Sequence, residues 1–148
     1  MILAAAAIAI SSLATATAMA AQATPVAHAA RTLNVTDTAH LRYTKEVGSM
    51  LEDEGSATGA LPGRVAVQFS VGATVYASFT IYAKGGSITG HSTGQLHGAG
   101  LYASFGGTMT VTHGTGRYAH ARGTGGFYGV IDRHNYAATV QTTGTLHY

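Results

Sequence analysis

The sequence predicts an all-β protein, a closed antiparallel up-and-down barrel of about eight strands preceded by a cleavable signal segment. Three observations predict it. Apolar and polar residues alternate over much of residues 64–148, glycine-rich turns interrupt the alternation at short intervals, and no long amphipathic helix could cover an open sheet. Because an open sheet leaves two unpaired edges, closure into a barrel is the expected arrangement.

Residues 1–29 are predicted to be a signal peptide and leader. The run from Ile2 to Leu13 is almost wholly apolar, yet it is shorter than the roughly 20 residues that a membrane-spanning helix needs. The small-residue patterns Ala18-Met19-Ala20 and Ala27-His28-Ala29 each match a signal-peptidase site. We therefore expect a secreted protein that keeps no stable membrane anchor after processing.

The mature protein is expected to begin near Ala21 or Ala30, which leaves residues 30–148 as a single β-barrel domain. Its composition argues against several classes of function. The chain has 8 Lys and Arg against 6 Asp and Glu and no basic run, so it lacks the clustered positive charge that binds nucleic acid. It has no cysteine, which excludes disulfides, thiolate metal sites and thiol nucleophiles.

The alternation places the strands and their turns. A strand beginning at Arg64 has an apolar face that the next strand repeats, and Gly72-Ala73 joins the two as a hairpin. Residues 30–38 are polar and aperiodic, which favours a flexible leader or a first edge strand. The pair Gly106-Gly107 interrupts a later strand and predicts a β-bulge. The residues of the first two apolar faces are Val65, Val67, Phe69, Val71, Val75, Ala77, Phe79 and Ile81.

Such a barrel either fills its interior with side chains or holds one small ligand. If the apolar faces pack outward against a partner subunit, the polar faces line a cavity for a small hydrophobic or phenolic ligand. The ligand-binding residues would then be Gln68, Tyr76, Tyr82 and Tyr102. If the apolar faces point inward, they fill the barrel and the same tyrosines face solvent. The pattern alone leaves both arrangements open.

The segment GTGRYAHARG, from Gly114 to Gly123, resembles the GTGRF-x-x-ARG signature of plant dirigent proteins, which share a barrel with the allene oxide cyclases. In chain order, EGSATGAL at Glu54 to Leu61, ASFTIYAKGGSITGHS at Ala77 to Ser92 and TLHY at Thr145 to Tyr148 are also similar to that family. The resemblance implies a distant bacterial member with an apolar central cavity and a trimeric assembly. It also implies radical coupling or the cyclisation of a bound precursor.

The resemblance implies catalytic residues too. Arg122 matches a cavity arginine of the plant family, and Asp132 is the one acid downstream of it. Arg122, together with Asp132 or with a glutamate of the 52–54 cluster, could orient an acidic or enolisable ligand, since a guanidinium binds oxyanions bidentately. A surface ion pair beside a turn is the alternative. Plant dirigents use cavity aspartates as acids, and the other acids of the mature chain are Asp37, Glu46, Glu52, Asp53 and Glu54.

No metal or cofactor is predicted. The 8 histidines form no pair with a recognised metal-ligand spacing. The predicted function is a secreted barrel that binds a small hydrophobic or phenolic molecule, and a cofactor-free isomerase or cyclase activity is open. The alternative is a non-catalytic exported barrel with a cell-surface structural or ligand-carrier role.

Overall fold

The computed structural model describes residues 29–148, which form a closed barrel of eight antiparallel strands that follow one another in chain order. The predicted fold class is confirmed. The predicted signal segment lies, except for its last residue, outside the described residues. A 3₁₀-helix at Gly116–Tyr118 precedes β7, and the strands are β1 (Thr32–Val47), β2 (Met50–Gly59), β3 (Gly63–Ser70), β4 (Thr74–Ala83), β5 (Gly86–His97), β6 (Tyr102–Gly114), β7 (Arg122–Asp132) and β8 (Ala138–His147).

Strand β1 closes the barrel, because it pairs with β2 on one side and with β8 on the other. Residues 32–36 pair with β8 alone, and Asp37 and Thr38 pair with both β8 and β2. Of the two predictions for residues 30–38, the flexible leader is therefore wrong for residues 32–38, and the edge strand describes residues 32–36. The segment does alternate, but an aspartate occupies one position of the otherwise apolar series and hides the period. The inward series is Leu33, Val35, Asp37, Ala39 and Leu41.

The apolar faces of the strands point into the barrel. Val65, Phe69 and Phe79 are buried, whereas Tyr76 and Tyr102 are 59% and 64% exposed on the outer surface. Of the two arrangements that the sequence left open, the structure has the inward apolar faces and solvent-facing tyrosines of the second, but these apolar side chains leave a cavity rather than filling the barrel.

The predicted bulge at Gly106-Gly107 is wrong, because the pairing of β6 with β5 and β7 runs through both residues without a shift. The register of β5 and β6 shifts instead where Thr89 and Gly90 pair with His113 and Val111, so that Thr112 of β6 is the extra residue. Glycines of the barrel wall make room for phenylalanine rings. A Cβ at Gly94 would lie 2.7 Å from the ring of Phe127. The ring of Phe79 packs over Gly90, and that of Phe105 over Gly129, in the same way.

One end of the barrel is filled by a cluster of side chains that we call the plug. The loop after β2 brings Leu61 into the barrel, and the 3₁₀-helix brings Tyr118, whose ring packs 5.0 Å from that of Tyr148. We call this the closed end, and the opposite end, with the turns at 71–73 and 133–137, the open end. The plug consists of Leu61, Ile88, Tyr118, Ala121 and Leu146.

Candidate functional site

Between the plug and the open end the barrel encloses a cavity of about 490 Å³. That volume lies within the range of small-molecule pockets, roughly 300–1,000 Å³. The wall is made mainly of aliphatic and phenylalanine side chains, so it suits one small apolar molecule. Representative wall residues are Leu41, Val67, Phe69, Phe105, Phe127 and Val140.

The cavity reaches solvent at the open end, where exposed turn residues form part of its lining. Arg133 donates a hydrogen bond from Nη2 to the carbonyl oxygen of Gly98 over 2.8 Å, which ties two turns together. The ring of Tyr136 packs 5.7 Å from that of Tyr43. Tyr136 has a positive φ of 58°, a conformation that few residues other than glycine adopt. The mouth of the cavity is therefore bordered by Arg133 and Tyr136 on one side and by the exposed apolar side chain of Val71 on another.

Asp53 of β2 is a carboxylate in the otherwise apolar wall. Its side chain is 1% exposed, and neither of its oxygens has a hydrogen-bond partner among residues 29–148. Burial disfavours the charged form and raises the pKa of Asp53 from the ordinary 3.8 to about 6. The cavity thus contains a group that can hold or release a proton near neutral pH.

Asp37 of β1 is the second interior acid, at the boundary between the cavity and the plug. It is 5% exposed, and its Oδ1 accepts a hydrogen bond from the backbone N–H of Leu61 over 3.0 Å. Along β1, Asp37 lies six positions before Tyr43, and Tyr43 pairs with Asp53 on the neighbouring β2. Because six residues span roughly 20 Å of a regular strand, the two carboxylates act as separate groups rather than as a dyad.

Neither interior acid was predicted as a site residue, although the sequence contains a signal for both. Asp53 stands two residues after Leu51 and four before Ala57, and Asp37 stands between Val35 and Ala39. A carboxylate in phase with inward-facing apolar residues points into the barrel, because alternate side chains of a strand share a face. An acid at the same alternate positions as the inward apolar residues is therefore predicted to face the interior, even when its sequence neighbours are charged.

The predicted catalytic residues Arg122 and Asp132 lie at opposite ends of β7. Arg122 is exposed at the closed end, where its Nη1 donates to the carbonyl oxygen of Ala121. Asp132 lies at the open end, and its Oδ1 accepts from the backbone N–H of His134 over 2.8 Å. Ten residues of strand, roughly 30 Å, separate them, so a joint role in orienting a ligand has no geometric support.

The predicted ligand-binding residues Gln68, Tyr76, Tyr82 and Tyr102 lie on the outer surface and do not border the cavity. Gln68 donates a hydrogen bond to Glu52, and this bond, together with the neighbouring Lys45, lowers the pKa of Glu52. The Tyr82 ring lies 4.2 Å from the guanidinium carbon of Arg64. Such contacts are typical of a solvent-facing sheet surface.

Comparisons with models of protein families, with curated proteins and with solved structures gave no match. Within residues 29–148, no three His, Asp or Glu side chains lie close enough together to hold a metal ion. The same part of the chain contains no helix with the length and apolar character needed to cross a membrane. The site is therefore interpreted from its own geometry.

Proposed function

We propose that the barrel binds a small, largely apolar molecule in its central cavity. The observation that carries the proposal is the cavity of about 490 Å³ with an almost wholly aliphatic and aromatic wall. Burial of apolar surface would drive binding, at roughly 25 cal/mol for each Å² of ligand removed from water.

The backbone keeps this cavity from collapsing. Each of the eight strands pairs with two neighbours, so the hydrogen-bond ladder sets the circumference independently of what fills the interior. The phenyl rings that cross wall glycines have little freedom to fill the space: a Cβ at Gly90 would lie only 2.6 Å from the ring of Phe79. A cavity formed in advance lowers the ordering cost of binding.

A second candidate function is a cofactor-free acid–base reaction on the bound molecule, such as an isomerisation or cyclisation. Asp53 supports it, because a carboxyl group with a pKa of about 6 serves as a general acid or base near neutral pH. The competing role is a carrier without turnover. An Asp53→Asn variant distinguishes them, since a carrier would keep its apolar ligand and an enzyme would lose its reaction.

Export from the cell, kinship with dirigent proteins and allene oxide cyclases, and assembly into a homo-oligomer belong to the same proposal. They are supported by the residue patterns of the chain. Native mass spectrometry of the protein from its own culture medium would report a retained small molecule and the subunit count together.

Cavity binding is tested with two single variants of β4, one that adds a phenyl ring to its inner face and one that adds a phenyl ring to its outer face. Ala77 borders the cavity, and its neighbour Ser78 is exposed on the outer surface. We expect Ala77→Phe to weaken binding of the neutral fluorophore N-phenyl-1-naphthylamine at least about tenfold, because the new ring occupies the cavity. Ser78→Phe should leave binding unchanged. Circular dichroism establishes that both variants fold, and equal binding by the two would refute the proposal.

A further inference from the structure

Asp53 lacks any partner for its charge within the described barrel. Both oxygens are buried and unpaired, although buried polar groups in proteins are almost always hydrogen-bonded. The cost of burying an unpaired carboxylate is large, so its retention in an apolar wall needs a reason. A ligand group that donates to these oxygens supplies one.

The charge balance of the interior indicates what that group is. The titratable side chains that border the cavity are Asp37, Asp53, Arg133 and Tyr136. Arg133 lies at the mouth, where it is bonded to the Gly98 carbonyl oxygen, and the two acids lie within the barrel. Among the described residues, the ion pairs within 4 Å are Lys45–Glu52 and Arg64–Glu54, on the outer surface. No Lys, Arg or His of this part of the chain lies within that distance of the Asp53 carboxylate. The interior therefore has an excess of negative charge.

We propose that the ligand is a hydrophobic amine whose protonated nitrogen binds the Asp53 carboxylate and whose aliphatic or aromatic body fills the apolar cavity. This inference rests on the proposed cavity binding. An ammonium group combines hydrogen-bond donors with a compensating charge, and such charge-assisted bonds are stronger than neutral ones. In a cavity of low polarity the attraction between opposite charges is greater than in water.

The pH dependence of amine binding follows from the groups around Asp53. Across the sheet it faces Tyr43 on β1 and Val67 on β3, and across the cavity it shares the interior with Asp37, Arg133 and Tyr136. At neutral pH Asp53 is mostly ionised and an aliphatic amine is protonated. Amine affinity should decline as acidification protonates Asp53, whereas the affinity for an uncharged apolar molecule should change little.

Three eight-carbon probes test the inference: octylamine, 1-octanol and octanoate, titrated calorimetrically at neutral pH. The alkyl chain reports cavity binding, and the head groups report the charge preference. We expect octylamine to bind at least about tenfold more tightly than 1-octanol, and octanoate to bind most weakly. Equal binding of octylamine and 1-octanol, or tightest binding of octanoate at the mouth arginine, would overturn the amine assignment and leave cavity binding intact. If none of the three binds, the proposed function itself fails.

Variants then locate the preference. Asp53→Asn should abolish the advantage of octylamine over 1-octanol while 1-octanol still binds. Glu54→Gln is the matched control, because it removes one negative charge from the outer face of the same strand; it should keep the advantage. Loss of the advantage in Asp37→Asn instead of Asp53→Asn would contradict the assignment to Asp53.

Discussion

The two ends of the barrel are built from the same eight strands, yet one is filled and the other is hollow. At the closed end Ile88 and Leu146 are 1% and 2% exposed and pack against Leu61 and Tyr118. Toward the open end, Leu96 and Val140 are partly buried and border the cavity. Strand residues alone do not explain the contrast, because both ends have inward aliphatic side chains.

The difference comes from the connections between strands. At the closed end, the β2–β3 loop and the 3₁₀-helix insert Leu61 and Tyr118 between the strand ends. At the open end, the turns at 71–73 and 133–137 contribute exposed residues and insert no comparable side chain. Whether an eight-stranded barrel of this width is solid or hollow is thus decided by its loops.

The two interior acids follow the same division. Asp37, at the plug, accepts a hydrogen bond that holds the inserted loop. Asp53, in the cavity wall, has no partner among the described residues. Asp37 thus uses one oxygen to hold the loop of the closed end and leaves Oδ2 buried without a partner, whereas both oxygens of Asp53 are buried without one among the described residues.

The largest expected effect contrasts one substitution at the two ends. Leu146→Ala should lower the free energy of unfolding by about 2–5 kcal/mol, because it opens a hole in a packed cluster. Leu96→Ala, beside the existing cavity, should cost only about 1 kcal/mol, since it removes fewer contacts. Urea unfolding midpoints measure both. Similar costs for the two variants would mean that the ends are packed alike.

The second prediction concerns Asp53, whose replacement should raise rather than lower the free energy of unfolding at neutral pH. Its pKa rises from the ordinary 3.8 in the unfolded chain to about 6 in the barrel, so the folded state binds the proton more tightly. Well below pH 3.8 Asp53 is protonated in both states, so its ionisation has no effect on stability. As the pH rises from 3.8 to about 6, ionisation lowers the free energy of unfolding, and above about pH 6 this loss levels off at roughly 3 kcal/mol. Asp53→Asn removes that cost.

We therefore expect Asp53→Asn to be more stable than the natural chain at neutral pH, by up to about 3 kcal/mol, and to lose this advantage in acid. Unfolding measured across the pH range checks both the sign and the window. Glu54→Gln, whose carboxylate lies on the outer face, serves as the control and should show no comparable gain. An Asp53→Asn variant less stable than the natural chain at neutral pH would show that the carboxylate has a stabilising partner.

Much of the barrel could be predicted from the sequence, because the period-2 pattern identifies strands and their two faces. The pattern could not decide which face is inside, since that depends on the pairing of β1 with β8, whose partners, such as Thr32 and His147, lie far apart in the sequence. At residues 30–38, where Asp37 interrupts an apolar series, the pattern could not distinguish a strand from a flexible leader. It misled at Gly106-Gly107, where the strand pairing is regular and a Cβ at Gly107 would collide with the carbonyl oxygen of Thr93 on β5.

The candidate site was harder to predict than the fold. The predicted tyrosines and Gln68 lie outside the barrel, and Arg122 and Asp132 are a strand's length apart. The cavity itself depends on loop insertion at one end only, and no local pattern reports that insertion. Asp53 was recognisable from its phase, but its charged neighbours Glu52 and Glu54 made the segment resemble a solvated strand end.

The smallest effect tests how the plug is held in place. Gly59 has a φ of 128°, and a Cβ there would collide with the carbonyl oxygen of Thr36 and with Oδ1 of Asp37. Gly59→Ala should therefore cost about 1–3 kcal/mol and displace the loop that presents the Leu61 N–H to Asp37. Gly48 is the matched control, because it also has a positive φ, of 65°, but open space around its Cβ position.

Hydrogen exchange followed residue by residue separates the local effect from a general loss of stability. In Gly59→Ala the Leu61 amide should lose its protection while the amides of β3 and β4 near the open end keep theirs, because only the closed end depends on the loop. In Gly48→Ala, Leu61 should remain protected. If Leu61 stays protected in both variants, its hydrogen bond to Asp37 survives the substitution, and the conformation of Gly59 is not what positions the loop.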